Sequence, residues 1–229
     1  MLHSTASFRN CPTIRSASTS TGNTADWERE GEAMGHEIQG IPVINQYPVL
    51  PTGCEATALT MLLNWAGVDV LYTEVAKALP KVALPHEVDG KWYGGNPNKG
   101  FIGDPFQKES YGVFHGPIAE LIERYLPGLA VDLSGGSLAE VLAVLDSGRP
   151  VVVWATLKLR EGRVTDVWQD EDGTEIRWIS PQHCMLMTGY DDQHVIINDP
   201  DTGAVEHYPR ELFEDRWVLL GRQAVTVRA

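Results

Sequence analysis

The apolar residues of this chain change their period part-way along it, and that change restricts the fold more than any other feature. Up to about residue 148 they recur at helical spacing; beyond it they gather in β-branched runs. The clearest helix is CEATALTMLLNWAG, in which Ala58, Leu59, Leu62, Leu63 and Ala66 share a face and Gly67 supplies a stop. Thr52 and Glu55 have the T-x-x-E spacing of a capping box, which predicts a helix start there. A second helix is expected over 73–79 with Thr73 as its cap. A third runs from Pro117 to Leu126, ended by Gly128. A fourth runs from Ser137 to Ser147, with Ser137 and Glu140 as another capping box and Gly148 as its stop. Residues 81–115 carry many Gly, Pro and Asn without a clear period and predict a long surface loop. Such loops in compact domains are more often functional than idle.

In the second half, PVVVWATL (150–157) reads as a buried strand and 160–180 as a polar hairpin or loop turning at Asp172-Gly173. HCMLMTGY (183–190) and HVIIND (194–199) read as strands joined by Asp191-Asp192-Gln193. A short helix near 209–215 and a last strand near 217–227 complete the chain. Helices first and a mostly antiparallel sheet second make an α+β pattern. Residues 41–47, IPVINQY, predict an extended segment leading to the first helix. The Ser/Thr-rich start predicts a disordered tail over 1–35 and a single domain over 36–229. Met34 is an alternative translation start.

The net charge of −13 argues against nucleic acid or an anionic membrane as partner. No apolar run reaches the roughly 18 residues that a membrane span requires. The first 25 residues lack the apolar core of a secretory signal, so the expected compartment is the cytoplasm, with secretion open if the start is misassigned. The three cysteines, Cys11, Cys54 and Cys184, are too few and too odd for a disulfide framework. Neither CxxC nor HExxH occurs, so no metal and no cofactor is expected.

Cysteine catalysis needs a thiolate, a base beside it and a group that orients the base. Cys54 stands at the mouth of the best helix, where backbone N–H groups and the dipole favour an anion, so its thiol pKa is expected to fall. Alternation along 183–190 puts His183, Met185 and Met187 on one face and Cys184, Leu186 and Thr188 on the other, which makes Cys184 a core residue. Antiparallel pairing with 194–199 returns Asp199 to His183. Asp199 can then hold one ring nitrogen and leave the other for Cys54. Asn198 competes for that role, but alternation lets only one of the two face His183. The Cys54 backbone N–H and the Gln46 side-chain amide are candidate donors to an oxyanion.

The stretch IPVINQYPVLPTGCEATALTMLLNWAG, with GGNPNKGFIGDP, YGVFHGP and HCMLMTGYDDQHVIINDP, resembles a stand-alone branch of family thirty-nine of the papain-like cysteine peptidases. That family is named for bacteriocin-processing enzymes that cut after a double glycine. The resemblance spans about residues 40–226. It implies a papain-like fold with Cys54 as nucleophile, His183 as general base, Asp199 as orienting acid and Gln46 as the oxyanion glutamine. Two departures stand out: Gln46 lies farther before the cysteine than in exporter-fused enzymes, and Glu55 replaces the glycine that follows it there. The expected activity is thiol-dependent hydrolysis of a peptide or isopeptide bond in a peptide or protein substrate. A catalytically weak peptide-binding module and an acyl or amide transferase are the alternatives.

Overall fold

The β-branched run starting at Val151 becomes the spine of the molecule. A computed structural model describes residues 35–228. The tail expected over 1–35 lies, apart from Gly35, outside the described residues, as do Met34 and Cys11. Strand β1 (His36–Glu37) precedes helices α1 (Cys54–Trp65) and α2 (Tyr72–Ala78). Short strands β2 (Lys81–Val82), β3 (His86–Val88), β4 (Lys91–Tyr93) and β5 (Phe101–Ile102) follow. Then come α3 (His115–Tyr125), β6 (Ala130–Asp132), α4 (Leu138–Asp146), β7 (Val151–Thr156), β8 (Arg163–Gln169) and β9 (Glu175–Ser180). The chain continues through β10 (Gln182–Tyr190), β11 (His194–Asp199), β12 (Ala204–Pro209), α5 (Arg210–Leu219) and β13 (Ala224–Val227).

The main sheet has the order β12-β11-β10-β7-β13-β6, with β1 added to β10, and each pairing is antiparallel. Every residue of β7 is buried, so both faces of the sheet must be covered. On one face Leu59, Leu62, Ile118 and Leu121 of α1 and α3 pack on Val152, Trp154, Cys184 and Leu186. On the other, Val141, Leu145, Phe213 and Trp217 of α4 and α5 pack on Val151, Val153, Met185 and Met187. Each such side chain contributes about 1.5–3 kcal/mol by leaving water. The fold is α+β and papain-like, and the expected alternation of Cys184 against Met185 along β10 is present. The helices are shared between the two faces, because α4 turns its apolar stripe to the side that α5 also covers.

The long segment 81–115 is less irregular than its composition predicts. Strands β3 and β4 join the β8–β9 hairpin in a second sheet, order β3-β4-β8-β9. Beneath it Trp168 and Trp178 pack with Ile102, Tyr111 and Phe114, and Tyr111 meets Trp178 edge to face at 5.2 Å. The 160–180 hairpin turns over 170–174, where the Asp170 carboxylate accepts the backbone N–H groups of Asp172 and Thr174.

The helix starts correct two expectations. Ser137 and Glu140 do form a capping box on α4, with Ser137 N–H donating to Glu140 at 2.7 Å. Helix α1 has Gly53 as its N-cap and no side-chain cap, so the Thr52–Glu55 box is absent. Helix α2 starts at Tyr72 behind Leu71, which places Thr73 inside its first turn. Strands β6 and β12 have no counterpart in the sequence reading. The last strand is shorter than expected, because α5 extends to Leu219.

Candidate active site

Cys54 owes its position to a tight turn. Gly53 N–H donates to Leu50 O at 3.2 Å, and a Cβ at Gly53 would lie 2.6 Å from Leu50 Cβ. Only glycine fits there, and the helix starts on the next residue. Cys54 is 9% exposed, and its Sγ lies 3.3 Å from Glu55 Oε2. Glu55 is fully buried. Its Oε1 accepts the backbone N–H of Val113 at 3.1 Å and the side-chain N–H of Gln182 at 3.0 Å. Val113 is pinned from the other side too, since Trp154 Nε1 donates to its carbonyl at 3.0 Å. The backbone at Gly112 passes so near that a Cβ there would collide with Glu55 Oε1 and sit 2.8 Å from Gln182 Oε1.

The register of β10 with β11 ends at Leu186↔Asn198. Before it, residues 182–185 pair only with β7, and the gap leaves room for side chains. His183 Nε2 lies 2.7 Å from Asp199 Oδ1 in that gap, and both residues are buried. Asp199 Oδ1 also accepts the Asp201 N–H at 2.8 Å, and Oδ2 accepts the Tyr208 hydroxyl at 2.8 Å. Asn198 points elsewhere, donating to Ile41 O at 3.2 Å. With Nε2 engaged, Nδ1 is the ring nitrogen of His183 left for the cleft.

Cys54, His183 and Gln46 line one cleft of about 280 Å³, with Tyr47, Tyr111 and Trp178 on its walls. Gln46 is buried beside Cys54, but its Nε2 donates to the carbonyls of Leu50 at 3.1 Å and Pro51 at 3.3 Å. Its Oε1 has no hydrogen-bond partner among the described residues. In this structure the side-chain amide that is a candidate oxyanion donor is engaged by backbone carbonyls. A larger cavity of about 370 Å³ shares no residue with this cleft. Its Asp170 is already occupied by Asn96 and by turn N–H groups.

The electrostatics also correct one expectation. Burial pushes the Cys54 thiol well above its ordinary pKa and the Glu55 charge adds to this, while the backbone N–H groups of Cys184 and Glu55 pull it down. The helix N-terminus alone predicted a fall; the sequence does not display that the thiol is walled in. Burial likewise raises Glu55, against the pull of its hydrogen bonds. Asp199 behaves oppositely. Burial raises it, but the hydrogen bond and charge of His183, with Tyr208 and the Asp201 N–H, outweigh burial and hold it below its ordinary value.

A model of the Peptidase C39-like family matches residues 38–225. The chain belongs to this family. The C39-like chain is 36% identical over 181 residues to the uncharacterized protein YvpB of Bacillus subtilis, covering 79% of this chain and 71% of that one. It is also similar to the crystal structure of a proposed C39-like peptidase from Bacillus anthracis, with a TM-score of 0.77 and 34% identity, over 85% of this chain and 98% of that one. Family membership points to a peptidase. No helix of the described residues is long and apolar enough to cross a membrane. No group of three or more His, Cys, Asp or Glu among them is arranged to hold a metal ion.

Sequence reasoning missed Glu55, Gln182 and Tyr208 as neighbours of this C39-like site. In the sequence Glu55 reads as half of a capping box and as a departure from the family's glycine after the cysteine, with no sign of its partners Val113 and Gln182. Tyr208 sits on β12, whose half-exposed AVEHYP run carries a weak strand signal. Its alternation with Glu206 and Ala204 was the one clue available.

Proposed function

We propose that this C39-like protein is a cysteine peptidase in which Cys54 is the nucleophile, His183 the acid and base, and Asp199 the orienting group. One observation carries this reading: Cys54 and His183 share a cleft, with His183 Nε2 held by Asp199 at 2.7 Å. In the reaction the Cys54 thiol passes its proton to His183 Nδ1 as Sγ attacks the carbonyl carbon, and the oxyanion faces the N–H groups at the start of α1. The C–N bond breaks as His183 Nδ1–H gives its proton to the leaving amine. Water then loses a proton to Nδ1 and adds to the thioester, and the C–S bond breaks to release the acid. Gln46 joins the oxyanion site only by exchanging a carbonyl partner for substrate, because its Nε2 is otherwise engaged.

Support comes from the family match and from the position of Cys54 at the first residue of α1. The test is an activity-based thiol probe on the native protein, with mapping of the labelled residue. Labelling of Cys54 without denaturation, together with cleavage in a peptide library that Cys54→Ala abolishes, is expected. A probe adduct that persists in Cys54→Ala, or appears only after unfolding, contradicts the proposal. A second reading, a peptide-binding cleft with little turnover, is favoured by the raised thiol. It predicts library peptides that bind and are never cut.

A further inference from the structure

We infer that Glu55 is a neutral carboxylic acid in the resting protein, with its proton on Oε2, and that this O–H donates to the Cys54 sulfur. The Val113 and Gln182 N–H donors converge on Oε1, and the backbone N–H of Glu55 itself is a third donor to the carboxyl. That convergence is the pattern expected when Oε1 is the carbonyl-type oxygen and Oε2 the hydroxyl. Oε2 has the Cys54 sulfur as its partner at 3.3 Å. Glu55 is 0% exposed, and among the described residues no Lys, Arg or His forms an ion pair with it. An ionised carboxylate in such a place bears a large desolvation cost, and the hydrogen bonds that reach it offset that cost only in part. The titratable groups coupled to it are Cys54 on its own helix and Cys184 on β10.

The consequence concerns the nucleophile. An ionised Glu55 would oppose the thiolate at hydrogen-bond distance, and the burial of Cys54 leaves little water to screen it. A neutral Glu55 removes that repulsion and supplies a donor in its place. When the Cys54 proton passes to His183, the hydrogen bond from Oε2–H to the sulfur becomes charge-assisted and strengthens, and the Glu55 proton stays where it is throughout. Glu55 thus touches the reacting sulfur and sets its charge, and its placement after the cysteine has a chemical reason that helix capping does not give. The inference rests on Cys54 being the nucleophile, but its test needs no substrate and fails separately.

Infrared difference spectroscopy on the full-length protein reads the carboxyl directly. A protonated-carboxyl C=O band is expected at about pH 7, well above the ordinary Glu pKa of roughly 4.3. The band should disappear from wild type as the pH is raised and be missing from Glu55→Gln. No such band in wild type, or one that survives in the variant, overturns the inference. The wild-type titration stands even where the variant does not fold. The second readout is Cys54 alkylation by iodoacetamide. The ratio of the Glu55→Gln rate to the wild-type rate should grow as the pH rises from about 6 to about 9, because Glu55 ionises against the thiolate only in wild type. A ratio already tenfold or more at about pH 6 means that the carboxyl is ionised at rest, which also overturns it. Absence of alkylation at Cys54 in both proteins sinks the nucleophile reading, while the infrared result still decides the state of Glu55.

Discussion

Two helices of this protein begin with the same four-residue signature and end differently. At α4, Ser137 and Glu140 exchange hydrogen bonds and close a capping box. At α1, Thr52 and Glu55 have the same spacing, yet neither caps the helix. The segment 104–113 takes both of them. Thr52 Oγ1 donates to Gln107 O at 2.9 Å, and Glu55 Oε1 accepts from Val113 N–H. Glu140 stays on the surface, and nothing from afar competes for it. A capping box is worth only about 1 kcal/mol, so a long-range partner that buries and satisfies the carboxyl overrides it. What α1 loses as a cap, the cleft gains as a carboxyl at hydrogen-bond distance from the Cys54 sulfur.

The largest expected effect comes from deleting Glu55. Glu55→Ala strands the buried Val113 N–H and the Gln182 amide and leaves a cavity, at a cost of roughly 3–4 kcal/mol. Urea unfolding with an unchanged m-value checks this. A loss below about 1 kcal/mol would mean that Glu55 is after all no more than a cap.

Asp199→Asn comes next, since it tests the other buried carboxyl of the cleft. An amide can accept from His183 only as a neutral partner, so kcat/KM on a cleaved peptide should fall by about 10²-fold, part of what acid–base catalysis supplies. An unchanged kcat/KM would remove Asp199 from the site. The two carboxyls also slope stability against pH in opposite senses. Asp199 has a depressed pKa, so its contribution is present above the ordinary carboxyl value and lost as pH falls through the depressed one. Glu55 has a raised pKa, so it costs nothing below its ordinary value and takes stability away as pH rises towards the raised one. Thermal unfolding across pH should show Glu55→Gln flattening the decline as pH rises above the ordinary carboxyl value and Asp199→Asn flattening the decline as pH falls below it. The same change in both variants would contradict the distinction.

Local chemistry explains which parts were legible in the sequence. The Ser137 box closes within four residues and needs nothing distant, so its spacing sufficed. Val151–Thr156 is a β-branched run buried on both faces, and β10 alternates cleanly between Cys184 and Met185. The hairpin then brings Asp199 to His183 by geometry that period two already implies. Glu55 failed because its partner Val113 lies 58 residues away. The Cys54 thiol failed for a related reason: the helix terminus is visible in the sequence, but the walls that desolvate the sulfur are not. Tyr208 was missed because an edge strand exposed on alternate residues carries little apolar signal.

The smallest effects separate the two helix starts most sharply. Ser137→Ala removes a real cap and should cost about 1 kcal/mol, with faster hydrogen exchange at the Glu140 amide that Ser137 Oγ accepts. Thr52→Ala removes no cap. It deletes one hydrogen bond to a loop carbonyl, worth about 0.5 kcal/mol where solvent reaches it. Its exchange signature should therefore lie in the loop, at the Phe106 and Gln107 amides that Asp104 holds. The Thr57 amide, which makes the first helical bond to Gly53 O at 3.0 Å, should keep its protection. Fraying at Thr57 in Thr52→Ala would restore the capping role that the spacing suggested, and the contrast between the two helices would collapse. Loop amides alone responding would mean that 104–107 is docked on α1 through Thr52, as 112–113 is through Glu55, so that one segment holds the mouth of the helix that begins with Cys54 at two points.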